Sequence, residues 1–339
     1  MSSASAAARV SSSGATDVSE PYYPERVGVP GAASYPDAPG HDRAAEYQRW
    51  LAAQRRPVQV SGLRPIHVIL FLATLLTTTL AGTFQAGVNP FADWRLLARG
   101  LPFSMTLMSI LLVHEMGHFV VSRWHGVEAT PPYFIPGPPF LIGTFGAFIR
   151  MRTPTNRTAL FDVGAAGPWA GFLIAIPAVL YGLAHSEVRP LVGPEPVGIT
   201  LGNSVVFGLL TKLALHVSPQ DVTIVLHPVA LAGWFGLFVT FLNLLPVGQL
   251  DGGHVIYALL GRAHRWVARL SLVTIVGLAM LGWKGWAMWA VLVVVIGLDH
   301  PPTLDDRPLD PRRRIAAWLT IALFFATFMA VPIQVIGAD

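Results

Sequence analysis

After Arg64 the chain alternates long apolar runs with short polar connections. The runs cover 66–86, 102–123, 160–184, 227–248, 267–282, 285–299 and 314–336. Most approach the ~20 apolar residues that a helix needs to cross a bilayer. The pattern predicts an all-α polytopic membrane protein with about seven transmembrane helices. The two runs flanking Lys284 are short and can instead form a shallow hairpin, and "SVVFGLLTKLALHV" at 204–217 is too short to count as a span. In "PPYFIPGPPFLIGTFGAFIR", 131–150, prolines exclude a spanning helix and the residues after Pro139 favour strand, which predicts a re-entrant β-hairpin or loop. No internal repeat of the transporter kind is present. Residues 1–60, rich in Ser, Ala, Pro and Gly, bury too little apolar surface to offset the entropy of ordering, so a disordered tail is expected, without signal-peptide features. Within it "EYQRWLAAQRR" reads as linker or as a short helix on the membrane surface.

Composition agrees with a membrane protein: 53% of residues are hydrophobic and 12% charged, against about 25% charged in ordinary soluble chains. The net charge of +4 comes from 21 arginines and 2 lysines spread thinly, which gives no footprint for nucleic acid. The chain has no cysteine, so there is neither disulfide nor thiol nucleophile, and a transition metal must be held by His, Asp or Glu. Basic residues collect in cytoplasmic segments. Placing the N-terminus inside leaves eighteen on that side and five on the other, namely Arg95, Arg99, Arg189, Lys212 and Lys284; without the tail the ratio is eleven to five. The expectation is a multi-pass protein of the cell (inner) membrane with a cytoplasmic N-terminus and, after seven spans, an external C-terminus. Arginine over lysine and the alanine-rich tail point to a bacterium of high genomic GC, with an organelle membrane as the other reading. Oligomeric state leaves no mark in the sequence.

The second run contains "HEMGH", 114–118. Four residues apart on a helix, His114 and His118 lie one turn apart on one face, the spacing that binds one zinc ion through two nitrogens. Glu115 beside them has the chemistry of a general base for water attacking a carbonyl. Three ionisable groups within a span cost roughly 2.5 to 3.5 kcal/mol each for charged types, and a bound metal compensates them. With Arg123 at the boundary, nine residues away, His114 lies about 14 Å inside the bilayer. A hydrolytic zinc needs a third ligand and an open position. "FLNLLPVGQLDGGHV", 241–255, supplies the candidate, because Pro246, Gly252 and Gly253 break the helix at membrane depth, which is tolerated only beside a cavity or protein interior. Asp251 in that break reads as a ligand or as a cap for the next helix, and His254, three residues on, can ligate in its place.

His114-Glu115-x-x-His118 joined to Asn243-x-x-Pro246-x-x-x-Leu250-Asp251-Gly252 resembles the site-2 protease family of intramembrane zinc metalloproteases. The likeness reaches from about 102 to 260. It implies one zinc per chain on His114, His118 and Asp251, Glu115 as general base, and Asn243 aimed at the substrate carbonyl or its oxyanion. "GTFGAFIRMR" and "DVGAAGPWAGF" resemble the family's hairpin near the site and the small-residue start of the next span. The external segment 185–226 is too short for the peptide-binding PDZ domain that some members insert. The organisation that follows is a cytoplasmic tail at 1–60, a catalytic transmembrane core at 61–260 and accessory transmembrane helices at 261–339. The function implied is cleavage of transmembrane segments of membrane proteins, in regulated proteolysis or clearance of remnants; substrate protein and lipid bilayer are the partners. The rival is a non-hydrolytic metal carrier or a catalytically idle relative that acts by binding, for which Glu115 would have no use. The hairpin's strand-prone part can offer an edge to an extended substrate or simply plug the fold. His125 is expected at the water boundary, "GAAGPWAG" in helix packing, Trp283, Trp286 and Trp289 in an interfacial belt, and Arg312 to Arg314 at the inner boundary.

Overall fold

The structure, a computed structural model, describes residues 62–190, 198–216, 222–303 and 305–336. The expected tail at 1–60, with its surface helix, lies outside the described residues. Helix α1 (Pro65–Gln85) starts on the proline at its first position, where no backbone donor is lost. It leads through a 3-10 turn (Trp94–Gly100) into α2 (Leu101–Trp124). The threonine hydroxyls of α1 donate to the carbonyls one turn back, which hides their polarity in an apolar setting, and Thr78 meets Ser104 of α2 at 2.6 Å.

Strands β1 (Tyr133–Pro136) and β2 (Thr144–Phe148) then form an antiparallel hairpin, with Tyr133 opposite Phe148 and Ile135 opposite Gly146. The hairpin lies along α1. Tyr133 packs on His67, Phe134 on Phe71, Thr77 Oγ1 donates to the Gly143 carbonyl at 2.6 Å, and Gln85 reaches the Leu141 carbonyl at 3.3 Å.

Helix α3 (Arg157–Ala184) is capped by Asn156, whose side chain accepts from the Ala159 N–H at 2.8 Å. It packs on α2 and on α5 (Pro228–Asn243), where Gly233 and Gly182 let the backbones approach. Between α3 and α5 lie β3 (Glu187–Pro190), β4 (Gly198–Leu201), the short α4 (Val205–Leu215) and β5 (Val222–Val225). After α5 the chain leaves the helix at 244–250, around Pro246 and Gly248 (φ +52°), and resumes as α6 (Asp251–Leu260), α7 (His264–Leu281), α8 (Gly285–Ile296) and α9 (Pro311–Thr327), then β6 (Ile333–Ile336).

One expectation needs correction. The fold is mostly helical but not all-α: among the described residues three two-stranded antiparallel sheets form, β1 with β2, β3 with β5 and β4 with β6. Edge backbone in the connections is satisfied by strand pairing that hydropathy does not show. By length and composition, four helical stretches among the described residues, Pro65–Gln85, Trp94–Trp124, Arg157–Ala184 and Asp251–Leu281, are long and apolar enough to cross a membrane, and Val205–Leu215, Pro228–Asn243 and Gly285–Ile296 are shorter apolar helices. The 227–248 run is cut at Asn243, and 314–336 ends in a strand, so apolar length overstates helix length. The protein remains polytopic.

The core gathers Phe103, Leu107 and Ile110 of α2, Val179 and Leu183 of α3, Trp234, Leu237 and Phe241 of α5, and Trp286 of α8. Trp286 is fully buried, packs edge-on against Phe241 at 5.8 Å, and donates its indole N–H to the Ala330 carbonyl at 2.7 Å. Its expected place in an interfacial belt is thereby corrected; among the described residues the strongly exposed tryptophans are Trp94, Trp124, Trp266 and Trp318. Contacts sort the connections into two ends. At one, Arg157 pairs with Asp306, Arg313 with Asp162, and Asp305 donates its N–H to the Thr155 carbonyl. At the other, β4 pairs with β6, Gly202 donates to the Pro332 carbonyl at 2.7 Å, and Trp234 donates to the Gly202 carbonyl at 2.8 Å.

Candidate metal centre

The α2 helix carries His114, Glu115 and His118, all buried, and α6 begins at Asp251 beside them. His114 Nε2 and His118 Nε2 are 3.2 Å apart, and Asp251 Oδ2 lies 3.4 Å from the first and 3.2 Å from the second. Four ligands tetrahedral about zinc at bonds of about 2.0–2.1 Å sit roughly 3.3 Å from one another, so this triangle has the size of three corners of such a site. The donor set, two imidazoles and a carboxylate, is a hydrolytic zinc set, and these atoms can hold one metal ion. The alternative of Asp251 as a cap is not taken: Leu250 is the N-cap residue and has no side-chain cap bond.

Second partners orient these groups. His118 Nδ1 lies 2.8 Å from the Val163 carbonyl oxygen. A carbonyl only accepts, so Nδ1 carries the hydrogen and Nε2 keeps its lone pair for the cluster. Asn243, the last residue of α5, donates from Nδ2 to His114 Nε2 at 3.1 Å, which puts its amide against the cluster where the helix gives way. The Glu115 carboxylate accepts from the Ile149 N–H, just past β2, so the hairpin's end touches the acidic side chain.

The small residues of 164–171 are expected in helix packing. They do allow it: a Cβ on Gly117 of α2 would come within 2.7 Å of the Ala166 carbonyl oxygen of α3. Their larger effect is on the centre. A Cβ at Gly167 would overlap His118 Nε2, one at Gly171 would press on the His114 ring at 3.2 Å, and one at Gly164 would meet the Cβ of His254 at 2.8 Å. The helical spacing of these glycines was the available signal. Val163, Ile149 and His300 act through backbone or through a distant loop and left none.

Other candidates fall outside the cluster. His254 Nδ1 is bonded to His300 Nε2 at 2.8 Å, and His254 is not in the group that Asp251 joins. His125 sits at the end of α2 on Asp162 at 2.9 Å, and Arg313 closes on the same carboxylate at 2.8 Å, linking α2, α3 and α9.

The pattern described as Peptidase family M50 matches residues 102–282. The probable zinc metalloprotease EGY1, chloroplastic, of Oryza sativa subsp. japonica is 30% identical over 68% of this chain and 40% of its own length. The Arabidopsis thaliana protein of the same description is 32% identical over 56% of this chain and 34% of its own. Probable zinc metalloprotease EGY2, chloroplastic, of Arabidopsis thaliana is 29% identical over 78% of this chain and 47% of its own. The chain thus spans less than half the length of these curated relatives. No solved structure matches.

Proposed function

Because this chain belongs to peptidase family M50, the family of the site-2 proteases, we propose that it is a zinc endopeptidase that cuts a transmembrane segment of another protein within the bilayer. The observation that carries the reading is the 3.2–3.4 Å triangle of His114 Nε2, His118 Nε2 and Asp251 Oδ2 beside a buried glutamate. His114, His118 and Asp251 are the metal ligands, and Glu115 and Asn243 are the catalytic residues. Bound zinc supplies Lewis acidity for the water and the scissile carbonyl. Glu115 takes a proton from the attacking water and returns it to the leaving amide nitrogen. Asn243, held beside the cluster at the end of α5, directs its Nδ2–H to the carbonyl oxygen as charge develops there. Val163 holds His118 in its metal-ready tautomer throughout.

Seven membrane crossings fit the way the connections sort. The 185–226 segment and the C-terminal strand meet through β4 and β6, as parity requires when both follow an odd number of spans, and the arginine-rich connections meet at the opposite end. The short helices then cross as α5 with α6, α7, α8 and α9. Arginine bias makes the latter end cytoplasmic, in the inner membrane of a cell. The β1–β2 hairpin is re-entrant in this reading: its contacts on α1 run from His67 to Gln85, eighteen residues or about 27 Å of helix. Phe145 is 68% exposed, and Gly146 at φ +102° leaves open space beside it. Among the described strands none pairs with the outer edge of β2, so an unwound substrate can add there and have its backbone held extended beside Glu115. Residues 61–260 carry the chemistry, and 261–339 enclose it. The test is metal analysis of purified protein: wild type holds one zinc, Asp251→Ala and His118→Ala lose it, and His254→Gln keeps it. Zinc retained in Asp251→Ala but lost in His254→Gln transfers the third ligand to His254.

A further inference from the structure

The hydrogen bonds around His254 fix where its proton sits. His300 Nδ1 is 2.6 Å from the Pro301 carbonyl oxygen, an atom that only accepts, so that nitrogen carries the hydrogen and the neutral ring keeps a lone pair on Nε2. His254 Nδ1 is 2.8 Å from that Nε2 and must donate to it, which leaves His254 Nε2 unprotonated. One backbone carbonyl therefore sets two rings in series, by the same logic with which Val163 sets His118.

The relay is built firmly. The His300 ring stacks on Tyr257 at 4.3 Å, Thr303 donates its N–H to the Tyr257 hydroxyl at 3.3 Å, and Gly248, in the break before Asp251, donates to the Leu298 carbonyl at 3.0 Å. His254 stands one turn past Asp251, is 6% exposed, and packs against Gly164. It lines the same wall of α3 as Asp251: a Cβ on Gly164 would meet the His254 Cβ at 2.8 Å and the Asp251 carbonyl oxygen at 3.3 Å. Among the described residues nothing bonds its Nε2.

We propose that His300 is a positioning residue for the zinc site: it locks His254 in the tautomer whose Nε2 accepts and never donates, so the flank beside Asp251 offers an acceptor to water or a peptide N–H entering the site. This rests on the protease reading. A donor there would compete with Asn243 for the scissile carbonyl; an acceptor leaves that oxygen to Asn243. The loop between α8 and α9 thereby belongs to the centre.

Two substitutions separate this role from packing. His300→Gln places an amide oxygen where Nε2 accepts and so preserves the lock, whereas His300→Phe preserves the stacking on Tyr257 and abolishes it. Full-length protein with 15N-labelled histidine, zinc-loaded in detergent, is compared by nitrogen shifts, zinc content and cleavage of single-span reporters. Expected are a His254 proton on Nδ1 in wild type and His300→Gln, and a mixed tautomer in His300→Phe with kcat down about 10- to 100-fold, while KM and bound zinc hold. A wild-type His254 proton on Nε2, or His300→Phe cutting as fast as His300→Gln, overturns the proposal. If no protein cleaves any reporter, the protease reading fails, and the shifts still decide the tautomer.

Discussion

Gly167 shows how much one missing methyl group determines, because an added Cβ would occupy the space of His118 Nε2. Gly167→Ala is expected to lower bound zinc well below one per chain while helix content by circular dichroism stays unchanged; full zinc occupancy would contradict that packing. The pairing of His114 with His118 was legible because helical periodicity brings i and i+4 to one face, whereas Asp251 was marked by a helix break and singled out as a ligand only through the family resemblance. Val163 and Pro301 were not legible, since their carbonyls act irrespective of side chain. His300 also gives stability a pH dependence. Burial, reinforced by His254 and His264, lowers it from 6.5 to about 3. The folded state therefore refuses a proton that the unfolded chain accepts. Its contribution is complete above about pH 6.5 and is lost as pH falls toward 3. The thermal midpoint in detergent should drop between pH 7 and pH 5 more in wild type than in His300→Gln, and equal drops would assign the acid sensitivity elsewhere.

At the scale of elements, the hairpin is where sequence and structure agree by a physical route: prolines at 131–139 exclude helix, and the residues that follow favour strand, as β2 shows. If substrate adds to β2, Gly146→Val, which forces a β-branched residue to φ +102°, raises KM for a single-span reporter several-fold with zinc unchanged, and Phe145→Ala acts the same way. Steady-state kinetics decides, and unaltered KM in both folded variants would make the hairpin a plug. Helix lengths were less legible. The run at 227–248 stays apolar through Leu244 and Leu245, yet the helix stops at Asn243, because Pro246 withholds a backbone donor and Gly248 turns to positive φ. Hydropathy registers solvent preference and is blind to that interruption.

Across the whole molecule, the proposed two-ended arrangement is supported by charge bias and by the pairing of β4 with β6. The absence of cysteine makes this easy to check. Single cysteines at Ser186 and Gln334 should react with an impermeant maleimide added outside intact cells, and those at Arg262 and Asp305 only after permeabilisation; any mixed pattern within a pair would break the seven-crossing reading. The sheets joining β3 to β5 and β4 to β6 were invisible in the sequence because their strands are four residues long and their partners lie far away. The most direct measurement compares wild type with Glu115→Gln in liposomes on single-span reporters, with bound zinc assayed in both. Wild type should cut inside the span, and the variant should keep its zinc while cleaving about 10²- to 10⁴-fold more slowly. Equal zinc with equal cleavage rates would remove Glu115 as the base, and with it the central claim that the His114, His118 and Asp251 cluster with Glu115 performs proteolysis within the membrane.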